Sequence, residues 1–244
     1  MHKIISYPLS VLYYVLFLAT LCVFHPIQWI CFNVFGYEAH KRSVAILNFF
    51  LLRNTHVLGT TYDFQNREKL PNGVPLIIVA NHQSLYDIIP IIWFMRKWHP
   101  KFISKKELGK GIPSVSYNLR HGGSVLIDRK DAKQALSEIK VMAEYIEKYK
   151  RSTVIFPEGT RSKNGIPKKF SESGLKILCK YAPSAYIVPI SINNSWKMLQ
   201  FGQFPMGLGN RITFTIQDPF PVKGTPFEEL MIQTENAVVN GIKN

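Results

Sequence analysis

From Ile4 to Tyr37 the chain carries no Asp, Glu, Lys or Arg, and that single fact restricts where its N-terminal part can sit. At about 1.5 Å per helical residue, Ile4 to Phe24 alone reaches the roughly 30 Å depth of a hydrocarbon core. A cleaved signal peptide fits less well, because the apolar run is too long and no A-x-A-like site closes it. Pro26 is expected to break or kink the segment, and Tyr13, Tyr14, Trp29 and Tyr37 suit headgroup level. A second helix is predicted over Lys41 to Leu58, with Val44, Leu47, Leu51 and Leu52 on one face. The second helix also fits an ordinary core helix, but residues 1–58 are expected to associate with a membrane, whether spanning the bilayer or buried in one leaflet. Residues 59–244 are left for a separate domain.

Charge matters next. Thirty Lys and Arg against 16 Asp and Glu give a formal net charge of +14, which calls for an acidic partner. Nucleic acid is disfavoured: there is no zinc-ligand spacing, no RNA-recognition signature and no basic helix with base-reading side chains. An anionic membrane surface and phosphate-bearing substrates account for the charge more simply. Cys22, Cys31 and Cys179 are too few and too scattered for a disulfide framework or metal site. A reducing, cytoplasm-facing location with no bound metal is expected.

Pro71-Asn72-Gly73-Val74-Pro75 is a turn cluster. Strands are predicted over 76–80, 101–104, 124–127, 153–156, 185–192 and 211–216. Helices are predicted near 84–97, with Pro90 disturbing its early turns, from an Asp131 cap to Tyr149, and before Pro183. Thr225-Pro226-Phe227-Glu228 is expected to cap a last helix, with Pro226 at its first position and Asn240-Gly241 closing it. Strands interleaved with helices argue for an α/β sandwich, a mixed sheet flanked by helices.

Two loops carry the chemistry. Leu76-Ile77-Ile78-Val79-Ala80 reads as a buried strand and runs into Asn81-His82-Gln83-Ser84-Leu85-Tyr86-Asp87. An imidazole can take a proton near neutral pH, and a nearby carboxylate can hold its tautomer and stabilise the imidazolium. Ser84-x-x-Asp87 equally spells a capping box for the helix that follows. Thr153-Val154-Ile155-Phe156 opens into Pro157-Glu158-Gly159-Thr160-Arg161-Ser162, where glycine allows close backbone approach to an anion and the arginine fork matches phosphate oxygens.

N-H-Q-S-x-x-D followed by F-P-E-G-T-R-S resembles the glycerolipid acyltransferase family, typified by 1-acylglycerol-3-phosphate acyltransferase. Gly123-Ser124-Val125-Leu126-Ile127-Asp128-Arg129 is similar to its G-x-x-F-I-D-R block, with Leu126 in place of phenylalanine. Ile187-Val188-Pro189-Ile190 is similar to its V-P-[IV] block, and Phe102 to Leu108 to its lysine-bearing segment. Phe170 to Gly174 is one residue longer than the family's F-x-x-G. The resemblance covers roughly residues 70–220.

It implies acyl transfer from a thioester, acyl-CoA or acyl-carrier protein, to the hydroxyl of lysophosphatidic acid, giving phosphatidic acid. No other cofactor is implied. His82 would be the general base, oriented by Asp87; Lys105, Arg129 and Arg161 would gather the acceptor phosphate. Glu158, Gly159 and Thr160 would position the glycerol and shape their loop, and Val188, Pro189 and Ile190 would form the apolar acyl side. Asp128 reads as an Arg129 orienter or a turn former rather than a catalyst. A lyso-aminoacyl lipid is the competing acceptor. Two other classes remain as contrasts. One is a serine hydrolase, for which His121-Gly122-Gly123-Ser124 is the best match although no G-x-S-x-G is present. The other is a non-catalytic anionic-lipid-binding membrane protein.

Overall fold

Leu76-Ile77-Ile78-Val79-Ala80 is a strand with every residue buried, and its two-residue period divides it between two layers. Leu76, Ile78 and Ala80 join one core with Val188, Ile190, Ile192 and Phe214. Ile77 and Val79 join another with Ile139, Met142, Leu175 and Leu178. A strand covered on both faces has no polar side to keep, which is why the run is apolar throughout.

The computed structural model describes residues 2–243. The strands are β1 (Thr61–Gln65), β2 (Leu76–Ala80), β3 (Pro100–Lys105), β4 (Val125–Ile127), β5 (Ser152–Ile155), β6 (Tyr186–Asn193), β7 (Arg211–Ile216) and β8 (Phe220–Pro221). The α-helices are α1 (His2–Phe35), α2 (Tyr37–Asn54), α3 (Ile88–Phe94), α4 (Val115–His121), α5 (Ala132–Tyr149), α6 (Glu172–Tyr181) and α7 (Phe227–Asn240). Among the described residues the eight strands form one sheet in the order β1-β7-β6-β2-β5-β3-β4, with β8 also on β6. β6, β2, β5, β3 and β4 are mutually parallel, whereas β7 and β8 run antiparallel to β6. The mixed, helix-flanked sheet expected from the sequence is the fold found. Because β2, β5, β3 and β4 share a direction, their C-terminal loops gather along one edge, the usual ligand side of such sheets.

α5, α6 and α7 cover one face of the sheet, and α1, α2 and α3 cover the other. Asp131 caps α5 by accepting the Gln134 N–H, and Ile139, Met142, Ala143 and Ile146 form its buried stripe. α1 has two unlike sides. Tyr13 and Leu21 are buried against the sheet domain with Leu47, Leu51 and Leu52 of α2. Val11, Val15, Leu18 and Val23 lie outward, each more than half exposed. An apolar outer face of that extent is poorly matched to water.

Several expectations need correction. α1 passes unbroken through Pro8 and Pro26. Proline removes one intrahelical bond, but Ser114 braces the turn before Pro26, its Oγ donating to the Leu21 carbonyl at 2.6 Å and its N–H to His25 Nδ1 at 3.0 Å. α2 begins at Tyr37, before Lys41, and 55–58 form a 3₁₀ turn. The helix expected at 84–97 is a 3₁₀ turn, Leu85–Asp87, followed by the short α3. Pro90 stands in the first turn of α3, where its missing N–H leaves no bond unmade. Pro226 is the N-cap of α7, its carbonyl accepting the Leu230 N–H at 3.0 Å, so Thr225 makes no cap. β1, β8 and α4 were not legible. β1 is an edge strand whose one buried residue is Phe64, too little for a periodic signal.

Candidate active site

Where β2 ends, Asn81 is buried and its side chain clamps β6: Nδ2 donates to the Ile192 carbonyl at 2.9 Å and Oδ1 accepts the Ile192 N–H at 2.7 Å. The clamp fixes the point at which His82 leaves the sheet. His82 Nδ1 lies 2.9 Å from Asp87 Oδ2, and the imidazole stacks on Phe156, centroids 4.2 Å apart and planes 19° from parallel. Its side chain is 15 % exposed, and Nε2 makes no hydrogen bond within the described residues.

Asp87 is fully buried, yet its carboxylate is surrounded by donors. Oδ2 also accepts the N–H groups of Gln83 at 2.8 Å and Ser84 at 2.9 Å, while Oδ1 accepts the Ser195 hydroxyl. A carboxylate offers about four acceptor sites, and four donors meet it here. An ionised carboxylate can only accept, so the hydrogen between the two side chains belongs to Nδ1. That assignment leaves the Nε2 lone pair as the free base. The capping reading of Asp87 also holds, since Ser84 and Asp87 form a capping box on the 3₁₀ turn. Cap and orienter are therefore the same group.

Ser195 was missed by sequence reasoning. It follows Asn194 in left-handed conformation and reaches Asp87 from more than 100 positions away. Its N–H donates to Gln83 Oε1 at 3.0 Å, and no local pattern marks such a long-range contact.

The loop after β5 wraps the His82 backbone. Glu158 Oε1 accepts the His82 N–H at 2.7 Å and Oε2 accepts the Lys168 N–H at 2.9 Å; Ser162 N–H donates to the His82 carbonyl at 2.8 Å. Burial raises the Glu158 pKa, and the two N–H groups oppose that rise. Its carboxylate thus ties the loop together. Gly159 has φ 66°, a left-handed turn where a side chain would be strained, and its carbonyl accepts from Arg129 Nη1. Gly159, Thr160 and Arg161 are exposed at the loop's crest.

Lys105 ends β3 opposite Ile127 of β4, two residues before Arg129. Lys105, Arg129 and Arg161 therefore stand at the C-terminal edge of β3, β4 and β5, the edge from which His82 emerges. Arg129 is tied to the Gly159 loop, whereas Lys105 and Arg161 make no hydrogen bond or ion pair within the described residues. Asp128 accepts the Lys130 N–H at 2.9 Å, a turn contact.

Val188, Pro189 and Ile190 lie wholly buried in β6, which is paired on both edges and covered on both faces, so they line no open cavity. Pro189 is tolerated in this central strand because β7 pairing begins at Ile190 and β8 pairing ends at Ile187, leaving no ladder bond for its missing N–H. Phe170 and Gly174, one residue further apart than the usual spacing, sit in the α6 core; a Cβ on Gly174 would come within 2.9 Å of Ile155. Ser124 accepts the Phe102 N–H at the opposite edge of the sheet from His82, so no serine–histidine pair forms there. Among the described residues no three His, Cys, Asp or Glu side chains group as a metal site.

Known proteins resemble this chain in sequence and in fold. The Acyltransferase family model matches residues 61–193, from β1 to the end of β6. The chain is 41 % identical over 127 residues to a 1-acyl-sn-glycerol-3-phosphate acyltransferase of Helicobacter pylori, covering 49 % of this chain and 51 % of that one. It is 28 % identical over 181 residues to a chloroplastic 1-acyl-sn-glycerol-3-phosphate acyltransferase of Brassica napus, covering 74 % and 50 %. The chain thus spans about half the length of these curated relatives. The crystal structure of the 1-acyl-sn-glycerophosphate (LPA) acyltransferase PlsC from Thermotoga maritima superposes with a TM-score of 0.81 at 27 % identity, over 99 % of this chain and 96 % of that one. The His82–Asp87 pair thus lies in a chain that belongs to the acyltransferase family.

Proposed function

We propose that this protein is a 1-acylglycerol-3-phosphate O-acyltransferase, converting lysophosphatidic acid to phosphatidic acid. The observation that carries the reading is the His82–Asp87 pair, with Nδ1 held by a buried carboxylate and Nε2 free at the basic edge of the sheet. The activities of the relatives supply the substrate class.

In this reading His82 Nε2 takes the proton of the acceptor hydroxyl as its oxygen attacks the thioester carbonyl. The C–O ester bond forms, the C–S bond breaks, and the leaving thiolate recovers the proton from the imidazolium. Asp87 stabilises that imidazolium. A thiolate leaves readily, so no acyl-enzyme is needed; general-base action of this kind contributes about 10²–10⁴ in rate. Lys105, Arg129 and Arg161 hold the acceptor phosphate, with Gly159 and Thr160 against the glycerol. The donor is an acyl thioester, acyl-CoA or acyl-carrier protein. α1 and α2 place the outward apolar face in an anionic membrane, with the sheet domain on the cytoplasmic side.

The test is purified full-length protein in bilayers with lysophosphatidic acid, monoacylglycerol and a lyso-aminoacyl lipid at equal concentration, and with either thioester donor. Phosphatidic acid formation that disappears in His82→Ala is expected. Preference for the lyso-aminoacyl lipid, or monoacylglycerol matching lysophosphatidic acid, would remove the phosphate-pocket assignment. Transfer to none of the acceptors would leave the lipid-binding reading.

A further inference from the structure

At the sheet edge away from His82, β3 and β5 begin beside cations that acyl transfer leaves unused. Lys101 is only 7 % exposed, and within the described residues its ammonium meets no carboxylate and makes no hydrogen bond. Its ammonium lies over the Tyr37 ring, 5.1 Å from the centroid. Beside it is a cavity of about 30 Å³ whose walls include His40, Lys41, Arg96, His99 and Lys101. His40 is fully buried and makes no hydrogen bond of ordinary geometry, although the Gln28 backbone and the Asn118 side chain face its ring, and His99 Nδ1 is unpaired. The one nearby acid, Glu38, is 59 % exposed and already bonded to Lys41 at 2.6 Å. Lys41 also meets His99 Nε2 at 2.7 Å.

Buried donors without acceptors and a buried cation without a counter-charge are both costly. Burial, then the charges of Arg151 and Lys41, push the Lys101 pKa down to about 7, which expresses the same deficit of negative charge. The space has room for a group a few water molecules in size, too small for an acyl chain. At about 3.3 Å per strand residue, Lys101 stands about 13 Å from Lys105 along β3, so this cavity is separate from the acceptor site proposed above.

We propose that this cavity binds a phosphate-class anion, held by Lys101, Lys41, Arg96 and His40. Free phosphate and the headgroup of an anionic lipid share that chemistry, and Lys41 on α2 puts the site beside the helices that carry the outward apolar face. A ligand that binds only the folded protein raises its unfolding temperature. The experiment follows thermal unfolding of the full-length protein in phosphatidylcholine nanodiscs at constant ionic strength. One arm titrates inorganic phosphate against chloride; the other adds phosphatidic acid to the nanodiscs and omits free phosphate.

Wild type and Arg161→Ala should both be protected. Lys101→Met and Arg96→Gln should each weaken the apparent affinity about 10-fold or more, the loss expected for one charge-assisted bond. Protection by inorganic phosphate identifies the free ion, and protection by phosphatidic acid alone identifies the headgroup. Absence of protection in both arms overturns the proposal. So does protection that survives Lys101→Met, or that Arg161→Ala abolishes. Should Lys101→Met fail to fold, Arg96→Gln decides, because Arg96 is exposed.

Discussion

Asp87→Asn separates chemistry from architecture at a group that serves both. The asparagine carbonyl can stay where His82 Nδ1, Gln83 N–H and Ser84 N–H converge at 2.8–2.9 Å. Its new NH₂ then faces Ser195 Oγ, whose hydroxyl can turn to accept. Three charge-assisted bonds of about 1.5–3 kcal/mol become neutral ones of about 1 kcal/mol, a loss of about 1.5–6 kcal/mol. Against this, a charge no longer has to be buried, which relieves a penalty of several kcal/mol. The net change in stability should stay within about 2 kcal/mol, a shift of a few degrees in Tm for a chain of this size. Nothing compensates in the reaction, because a neutral amide stabilises the imidazolium far less than an anion does. The fall in kcat should be about 10²–10⁴ with KM for lysophosphatidic acid little changed. The assay is thiol release from an acyl thioester in nanodiscs, run beside calorimetry. An Asn variant that retains more than about a tenth of kcat, or loses activity only in step with unfolding, would refute Asp87 as the orienting group.

Ser195→Ala should lower kcat and leave KM unchanged, because it frees one side of Asp87; an unpaired buried acceptor also costs about 1–3 kcal/mol. Ser195→Thr should restore most of the rate, and a failure of threonine to rescue would reduce Ser195 to packing. Arg161→Ala should cut kcat/KM for lysophosphatidic acid about 10–150-fold while sparing the thioester KM, and Arg161→Lys should recover only part, lacking the planar fork. In phosphate-free buffer Lys101→Met should be more stable than wild type at pH 6. A base whose folded pKa is lowered to about 7 from 10.5 destabilises the fold most while fully charged, so the advantage should fade between those values as pH rises; denaturant midpoints across that range check it. Deleting residues 1–58 removes Tyr13, Leu21, Leu47, Leu51 and Leu52 from the core. At roughly 1.5–3 kcal/mol each, that approaches or exceeds the stability of an ordinary domain. The truncated chain should therefore leave the membrane pellet as aggregate, and a soluble, folded truncation would contradict this.

By itself the sequence determined the features that depend on near neighbours. A continuously apolar five-residue run set just after Pro75 fits a strand buried on both faces, and β2 is one. A period of 3.6 with an Asp131 cap is sufficient for α5, because caps and stripes are local. His82 and Asp87 were legible because five positions separate them and a turn closes that distance. The tertiary structure alone decided what joins distant segments. Ser195 meets Asp87 across the gap between β2 and β6, Glu158 ties its loop to the His82 backbone, and Ser114 braces α1 ahead of Pro26. Val188, Pro189 and Ile190 were recognisable as a motif, but only the order of strands put them inside a closed core. Lys101 opens a predicted strand, and only packing by Tyr37, Arg151 and α2 shuts its side chain away from solvent. Burial and electrostatic environment are sums over the whole surrounding shell, and a linear sequence contains the shell's members without their distances.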